Sequence, residues 1–158
     1  MNRPTSGATA VRPTSPDPVN PRENGAKRTV TGTLVKVLLH HRTERGMRLE
    51  PYASRCVRRG EVHELVVTDQ SECMAGARID RVGFLGFVEI ETAGVLDRGD
   101  ALRVDGRPVG TLLGFDACHF PNHYNILLHA PELLTGGSLG LRPEVEVTFA
   151  PYGGAPTA

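Results

Sequence analysis

The chain predicts an all-β fold, a small antiparallel β-barrel of about seven strands, with a two-layer β-sandwich as the alternative. Three observations carry that reading. Short runs rich in Val, Ile, Leu, Thr and Phe recur along the sequence at modest spacing, as strands do. Glycine-bearing turns separate them, among them an Asp105-Gly106 pair between two apolar runs, a strong hairpin signal. Almost no stretch has the 3.6-residue periodicity of an amphipathic helix. Closure into a barrel is favoured because it removes the exposed edges that an open sheet must protect.

Residues 1–28 hold Pro4, Pro13, Pro16, Pro18 and Pro21 among Ser, Thr, Asn and Arg. Such a segment has little to bury against its ordering entropy, so it reads as a disordered arm. A single domain is expected over 29–150 and a flexible tail over 151–158. Thr33 to His40 is apolar and β-branched and reads as the first strand. Residues 43–60 are interrupted by Gly46 and Pro51 and read as a long loop, with one helical turn around Tyr52 to Arg55. Glu61 to Thr68 is the second strand, where alternation places His63, Leu65 and Val67 on one face and Val62, Glu64 and Val66 on the other. A loop follows to Ala77. The run from Ile79 to Ile90 is a strand whose Gly83 and Gly86 suit a bulge or bend. Residues 92–100 read as a turn region. The hairpin of Ala101 to Val104 with Val109 to Phe115 comes next, then a strand from Tyr124 to His129. A loop over 131–140 with at most a short helix at 132–134 leads to a last strand, Val145 to Phe149.

With 158 residues the chain suits one core, and its 18 basic and 18 acidic residues give a formal net charge of zero. That balance argues against nucleic acid as a partner, which calls for a basic excess. No apolar run is long enough to cross a bilayer as a helix, and no membrane partner is expected. Arginine-rich, Ala- and Gly-rich composition suggests a bacterial source. Three widely spaced cysteines without a C-x-x-C pair suit a reducing, cytoplasmic setting. Phosphate-loop, dinucleotide and nucleophile-elbow motifs are missing. The two-histidine spacing of the cupins is missing as well. The stretch from Gly99-Asp100 through Val109-Gly110 to Asn125-Ile126 resembles the β-rich glucitol-type phosphotransferase IIA proteins in its turns and apolar residues, and no functional residue is carried over from them.

Function is expected in residues 114–130, which hold three of the six histidines, two of which, His119 and His123, fall in the connection between two strands. Asp116, His119 and His123 are the candidate catalytic residues: histidine titrates near neutrality, and a carboxylate can orient it for general acid–base work. His63, Asn122, Tyr124, Asn125 and Arg55 are the candidate substrate-binding residues, the asparagines as hydrogen-bonding groups for a substrate carbonyl and Arg55 as an anchor for a carboxylate or phosphate. Cys118 reads as a small buried residue. The expected activity is cofactor-independent isomerase, cyclase or lyase chemistry on an organic small molecule. The alternatives are a non-catalytic ligand- or partner-binding module and a mononuclear zinc or iron enzyme using His119 and His123 with His63 or Asp116. A homo-oligomer is compatible with all three.

Overall fold

The computed structural model describes residue 20, residues 22–72 and residues 74–151. Cys73, residues 1–19 and 21 of the expected arm, and residues 152–158 of the expected tail therefore lie outside the described residues. The described chain is all-β, with twelve strands: β1 (Val30–Val37), β2 (His41–Arg42), β3 (Met47–Arg48), β4 (Ser54–Val57), β5 (Val62–Thr68), β6 (Arg78–Ile79), β7 (Val82–Ile90), β8 (Gly94–Asp97), β9 (Ala101–Val104), β10 (Arg107–Asp116), β11 (Asn125–His129) and β12 (Glu146–Ala150). No helix is long and apolar enough to cross a membrane among the described residues.

Seven strands close into a ring in the order β1-β12-β9-β10-β11-β5-β7, with β7 pairing back onto β1. Six of the seven pairings are antiparallel and one, β11 with β5, is parallel. The all-β, mainly antiparallel ring of seven strands is as the sequence predicts, and its one parallel pair has a reason in parity. Strand direction must alternate around an antiparallel ring, so an odd number of strands cannot close without a parallel pair.

Alternation along the strands divides the apolar residues between two cores. All seven ring strands supply the larger one, including Leu34, Leu65, Val88, Leu102, Phe115, Ile126 and Phe149, so it fills the interior. The smaller core lies on the opposite face of β5, β7, β10 and β11, where Val66, Phe84, Leu113 and Leu127 are covered by Met47, Leu49 and Ile79. Those covering residues come from the β3–β6 ribbon and its flank; Met47 and Leu49 lie within the region read as a long loop, and Ile79 at the start of the run read as a strand. Ser54–Val57 is likewise a strand paired with Gly94–Asp97, not the helical turn expected there. Its Val57 and Leu96 join the interior core, which makes the pairing worth more than the weak local periodicity of residues 52–57 suggests. The 132–134 segment is not helical.

Near the end of the segment read as an arm, Lys27 reaches back onto the β4–β8 ribbon. Its Nζ lies 2.7 Å from Asp97 Oδ2 and 2.5 Å from Asp100 Oδ2. Both carboxylates are buried, and Asp97 also accepts from Ser54 Oγ. Burial pushes the Asp100 carboxyl above its ordinary range against the opposing pull of Lys27. Lys27→Met leaves two buried carboxylates without their cation, and the expected loss is about 2–5 kcal/mol at pH 7. The loss should be smaller at a mildly acidic pH, where the Asp100 carboxyl, raised by burial, begins to protonate. Urea unfolding at the two pH values measures this, and a loss under about 1 kcal/mol at pH 7 would show that the pair is solvated rather than buried.

Candidate functional site

The antiparallel and parallel registers line up one row of outward-facing residues across five strands. Asp116 on β10 opposes Asn125 on β11, Asn125 opposes Glu64 on β5, Glu64 opposes Phe87 on β7, and Phe87 opposes Lys36 on β1. Directly opposed residues share a face, so the row is continuous and lies beside the smaller core. The connection over 117–124 folds next to this row. Its backbone turns on bonds from Phe120 N to Ala117 O and from Asn122 N and His123 N to His119 O, and the Phe120–Pro121 peptide is cis. It is a turn connection and not a helix, as Pro121 predicts.

His123 is held at both ring nitrogens. Its Nε2 is 3.1 Å from Glu64 Oε2, and its Nδ1 is 2.9 Å from Asn122 Nδ2. A carboxylate only accepts and an amide nitrogen only donates, so the neutral ring carries its proton on Nε2 and donates to Glu64. Glu64 is 7% exposed, which makes this a largely buried pair. Phe87 meets the His123 ring edge-on at 5.2 Å, and the His119 ring stacks on it at 5.0 Å. His119 Nε2 accepts from Arg45 Nη2 at 2.8 Å. Arg45 approaches from the turn before β3, where its backbone N–H bonds Asp80 O.

Asp116 does not orient a histidine, contrary to the sequence expectation. Its Oδ2 accepts from Arg48 N at 2.8 Å, and its Oδ1 accepts from Cys118 N at 3.1 Å and from Asn125 Nδ2 at 2.8 Å. Burial opposes its ionisation, but these bonds together with one from the Cys118 thiol outweigh it and hold the carboxyl below its usual range. Its geometry is that of a connector tying β10, β11 and the β3 turn. The Cys118 thiol is pushed up by burial and by Asp116. The residue as a whole is nevertheless exposed, which corrects the reading of Cys118 as buried. Asn125 is fully buried, and its Oδ1 has no hydrogen-bond partner among the described residues. Turning the amide over would set its oxygen against the Asp116 carboxylate, so the orientation is fixed.

His63, Arg55 and Tyr124 form a second cluster on the inner side of the same strand. Tyr124 N donates to His63 Nδ1 at 3.1 Å, and His63 Nε2 lies 2.9 Å from Glu61 Oε2. Both ring nitrogens are thereby satisfied, the proton again on Nε2. Arg55 bonds Glu61 at 3.2 Å and stacks over the Tyr124 ring at 3.8 Å. Tyr52 packs on Phe115, and burial followed by its bond to Tyr124 pushes its phenol well above the ordinary range. This cluster braces the entry into β11. The expected site divides into two hydrogen-bonded sets, one around His63 and one around His123, because His63 and Glu64 face opposite ways along β5; they remain neighbours, since the His123 charge acts on His63 and Phe120 packs on Tyr124. Adjacent His63 and Glu64 are not paired with each other, as alternation predicts. Glu61 serves the first histidine, and Glu64 serves the other.

Burial, and then the Arg55 charge, hold the His63 imidazole below its ordinary value of 6.5. Below that value the unfolded chain takes up a proton that the folded chain refuses. Stability therefore falls as the pH drops from about 7 toward the lower folded value, by at most about 1.4 kcal/mol per pH unit from this group. Melting temperatures between pH 7.5 and 5 should show the slope, and His63→Gln should make it shallower. An unchanged slope would mean that His63 is not held neutral.

Among the described residues no three His, Cys, Asp or Glu side chains are grouped as a metal ion would need. A polar groove of about 330 Å³ lined by Arg59, Gly60, Glu89, Ile90 and Glu91 contains none of the candidate site residues. Glu64, Arg45 and Glu61 were not among the residues expected from the sequence. Glu64 carried a usable signal, a carboxylate beside His63 in a strand otherwise made mostly of Val and Leu. Arg45 carried none, since its place depends on the packing of the β3–β6 ribbon.

No curated protein and no solved structure matches this chain. Residues 24–150, which take in the whole ring and both clusters, match the model of a family described as a family of unknown function (DUF6917), and the chain belongs to that family.

Proposed function

We propose that the chain is an enzyme of the acid–base type acting on a small organic molecule at the outer face of the ring, with His123 as the base and Glu64 orienting it. One observation carries this reading: a largely buried carboxylate holds His123 Nε2 at 3.1 Å while the other nitrogen faces only the exposed amide of Asn122. Displacing that amide frees Nδ1 as a base whose conjugate acid Glu64 stabilises. Nδ1 takes a proton from the carbon beside a substrate carbonyl, and the electron pair moves onto the carbonyl oxygen. Returning the proton to another atom completes an isomerisation, and loss of a β-substituent from the same intermediate completes an elimination. The Asn122 amide, once displaced from Nδ1, is a donor available to the developing oxyanion.

The test is solvent exchange. Pools of aldehydes, ketones and oxo acids are incubated with the protein in deuterium oxide and followed by mass spectrometry. Deuterium gain with the native chain that is lost in His123→Gln is expected. No gain for any compound with the native chain would remove the catalytic reading. A non-catalytic binding module is the second reading, favoured by Phe120, an aromatic left 60% exposed at the connection beside the site.

A further inference from the structure

We infer that Arg45 is an anion anchor, so that the ligand of this site is a small organic carboxylate. The inference deepens the acid–base reading by naming a substrate class, and it uses the same site. Arg45 is half-buried, and its guanidinium makes contacts through Nη2 alone, to His119 Nε2 at 2.8 Å and to Cys118 Sγ at 3.6 Å. Both are uncharged acceptors in these contacts, and no carboxylate pairs with this guanidinium among the described residues. Arg28, Arg98, Arg103 and Arg107 likewise bond neutral acceptors, but these are backbone carbonyls away from the two histidines, and the remaining pattern is acid pairing. Arg55, Arg78 and Arg81 each pair with an acid, Glu61, Asp80 and Asp69 respectively. Nε and Nη1 of Arg45 have no partner among the described residues, and a bidentate carboxylate would take one of them together with an Nη2 hydrogen now turned to His119 or Cys118.

Asp80, Asp116 and Glu64, three acids near Arg45 in the fold, are already engaged elsewhere. Asp80 takes both of its oxygens to Arg78 Nε and one to Gly46 N. Asp116 is held by Arg48 N, Cys118 N and Asn125, and Glu64 by His123. An incoming carboxylate would thus meet a guanidinium whose neighbours already have partners of their own. It would replace a neutral acceptor by a charged one, roughly doubling the strength of the bond. Because His119 bridges Arg45 and the His123 ring, a carboxylate on Arg45 lies one side chain away from the proposed base. That spacing suits a short substrate carrying its acid group near the reacting carbon.

Imidazole resonances of the full chain, followed by NMR during titration with acetate, succinate and inorganic phosphate at constant ionic strength, test this directly. Saturable shifts of His119 with the carboxylates are expected. Arg45→Gln should weaken them about tenfold or more, the loss of a charge-assisted pair, with Arg45→Lys recovering only part. Melting curves establish that each variant is folded. Should Arg45→Gln fail to fold, Arg45→Lys decides, since affinity equal to the native chain would overturn the fork. Undiminished binding in Arg45→Gln, a response to phosphate alone, or no saturable response would each overturn the inference. Carboxylate binding through Arg45 without any deuterium exchange would remove the catalytic reading and leave the anchor. Exchange by His123 without carboxylate binding would do the reverse.

Discussion

Gly86→Ala is expected to destabilise the protein by about 3–5 kcal/mol, enough to unfold a marginal domain. Two independent penalties combine at this position. The residue has φ of +151°, a conformation that side-chain-bearing residues rarely adopt, and an added Cβ would lie 2.0 Å from the Lys36 carbonyl oxygen. That carbonyl belongs to β1, the strand that closes the ring onto β7. Register steps occur on both flanks of this position, with Val35 the extra residue on β1 and Leu85 the extra residue against β5. Bulges bend strands, and here they bend β7 between its two ring neighbours. Gly60→Ala is a useful control, because φ there is also positive at +89° but no atom lies within 4 Å of the added Cβ. Urea unfolding of both variants separates the steric contribution from the backbone one. Equal losses at the two positions would mean that the contact with Lys36 relaxes without cost.

The largest effect on activity is expected at His123. Removing a positioned base lowers the rate by about 10²–10⁴-fold, and His123→Gln is the informative variant. A glutamine amide can still donate to Glu64, whereas His123→Ala strips the buried carboxylate of its only side-chain partner among the described residues and confounds lost chemistry with lost stability. With His123→Gln the deuterium exchange should vanish while the melting temperature stays within a few degrees of native. Glu64→Gln should keep a fraction of the exchange, because the imidazole remains but its protonated form loses the neighbouring charge. Full exchange in His123→Gln would assign the base elsewhere. Equal activity of native and Glu64→Gln would leave Glu64 a packing role only.

Much of the ring was legible from local pattern. The hairpin across Asp105-Gly106 forms as predicted, β9 pairing with β10, because two apolar runs joined by a residue pair that tolerates positive φ have few other solutions. The opposite orientation of His63 and Glu64 follows from the two-residue repeat of a strand, and their separate partners bear it out. Residues 52–57 were not legible. Tyr52, Val57 and their neighbours match neither period well, and Ser54–Val57 is a strand only because Gly94–Asp97 lies beside it.

What the sequence determined by itself was the all-β class, the places of most ring strands, and the dense polar connection at 117–124, since these depend on residues adjacent along the chain. Tertiary structure alone decided the parallel β11–β5 pairing, which brings Asn125 opposite Glu64 across 61 positions of sequence. It also decided that Glu64 rather than Asp116 serves His123, and that Arg45 reaches His119. Each of these depends on the register between distant strands, and register is set by closing the ring and filling its core, which no local pattern encodes.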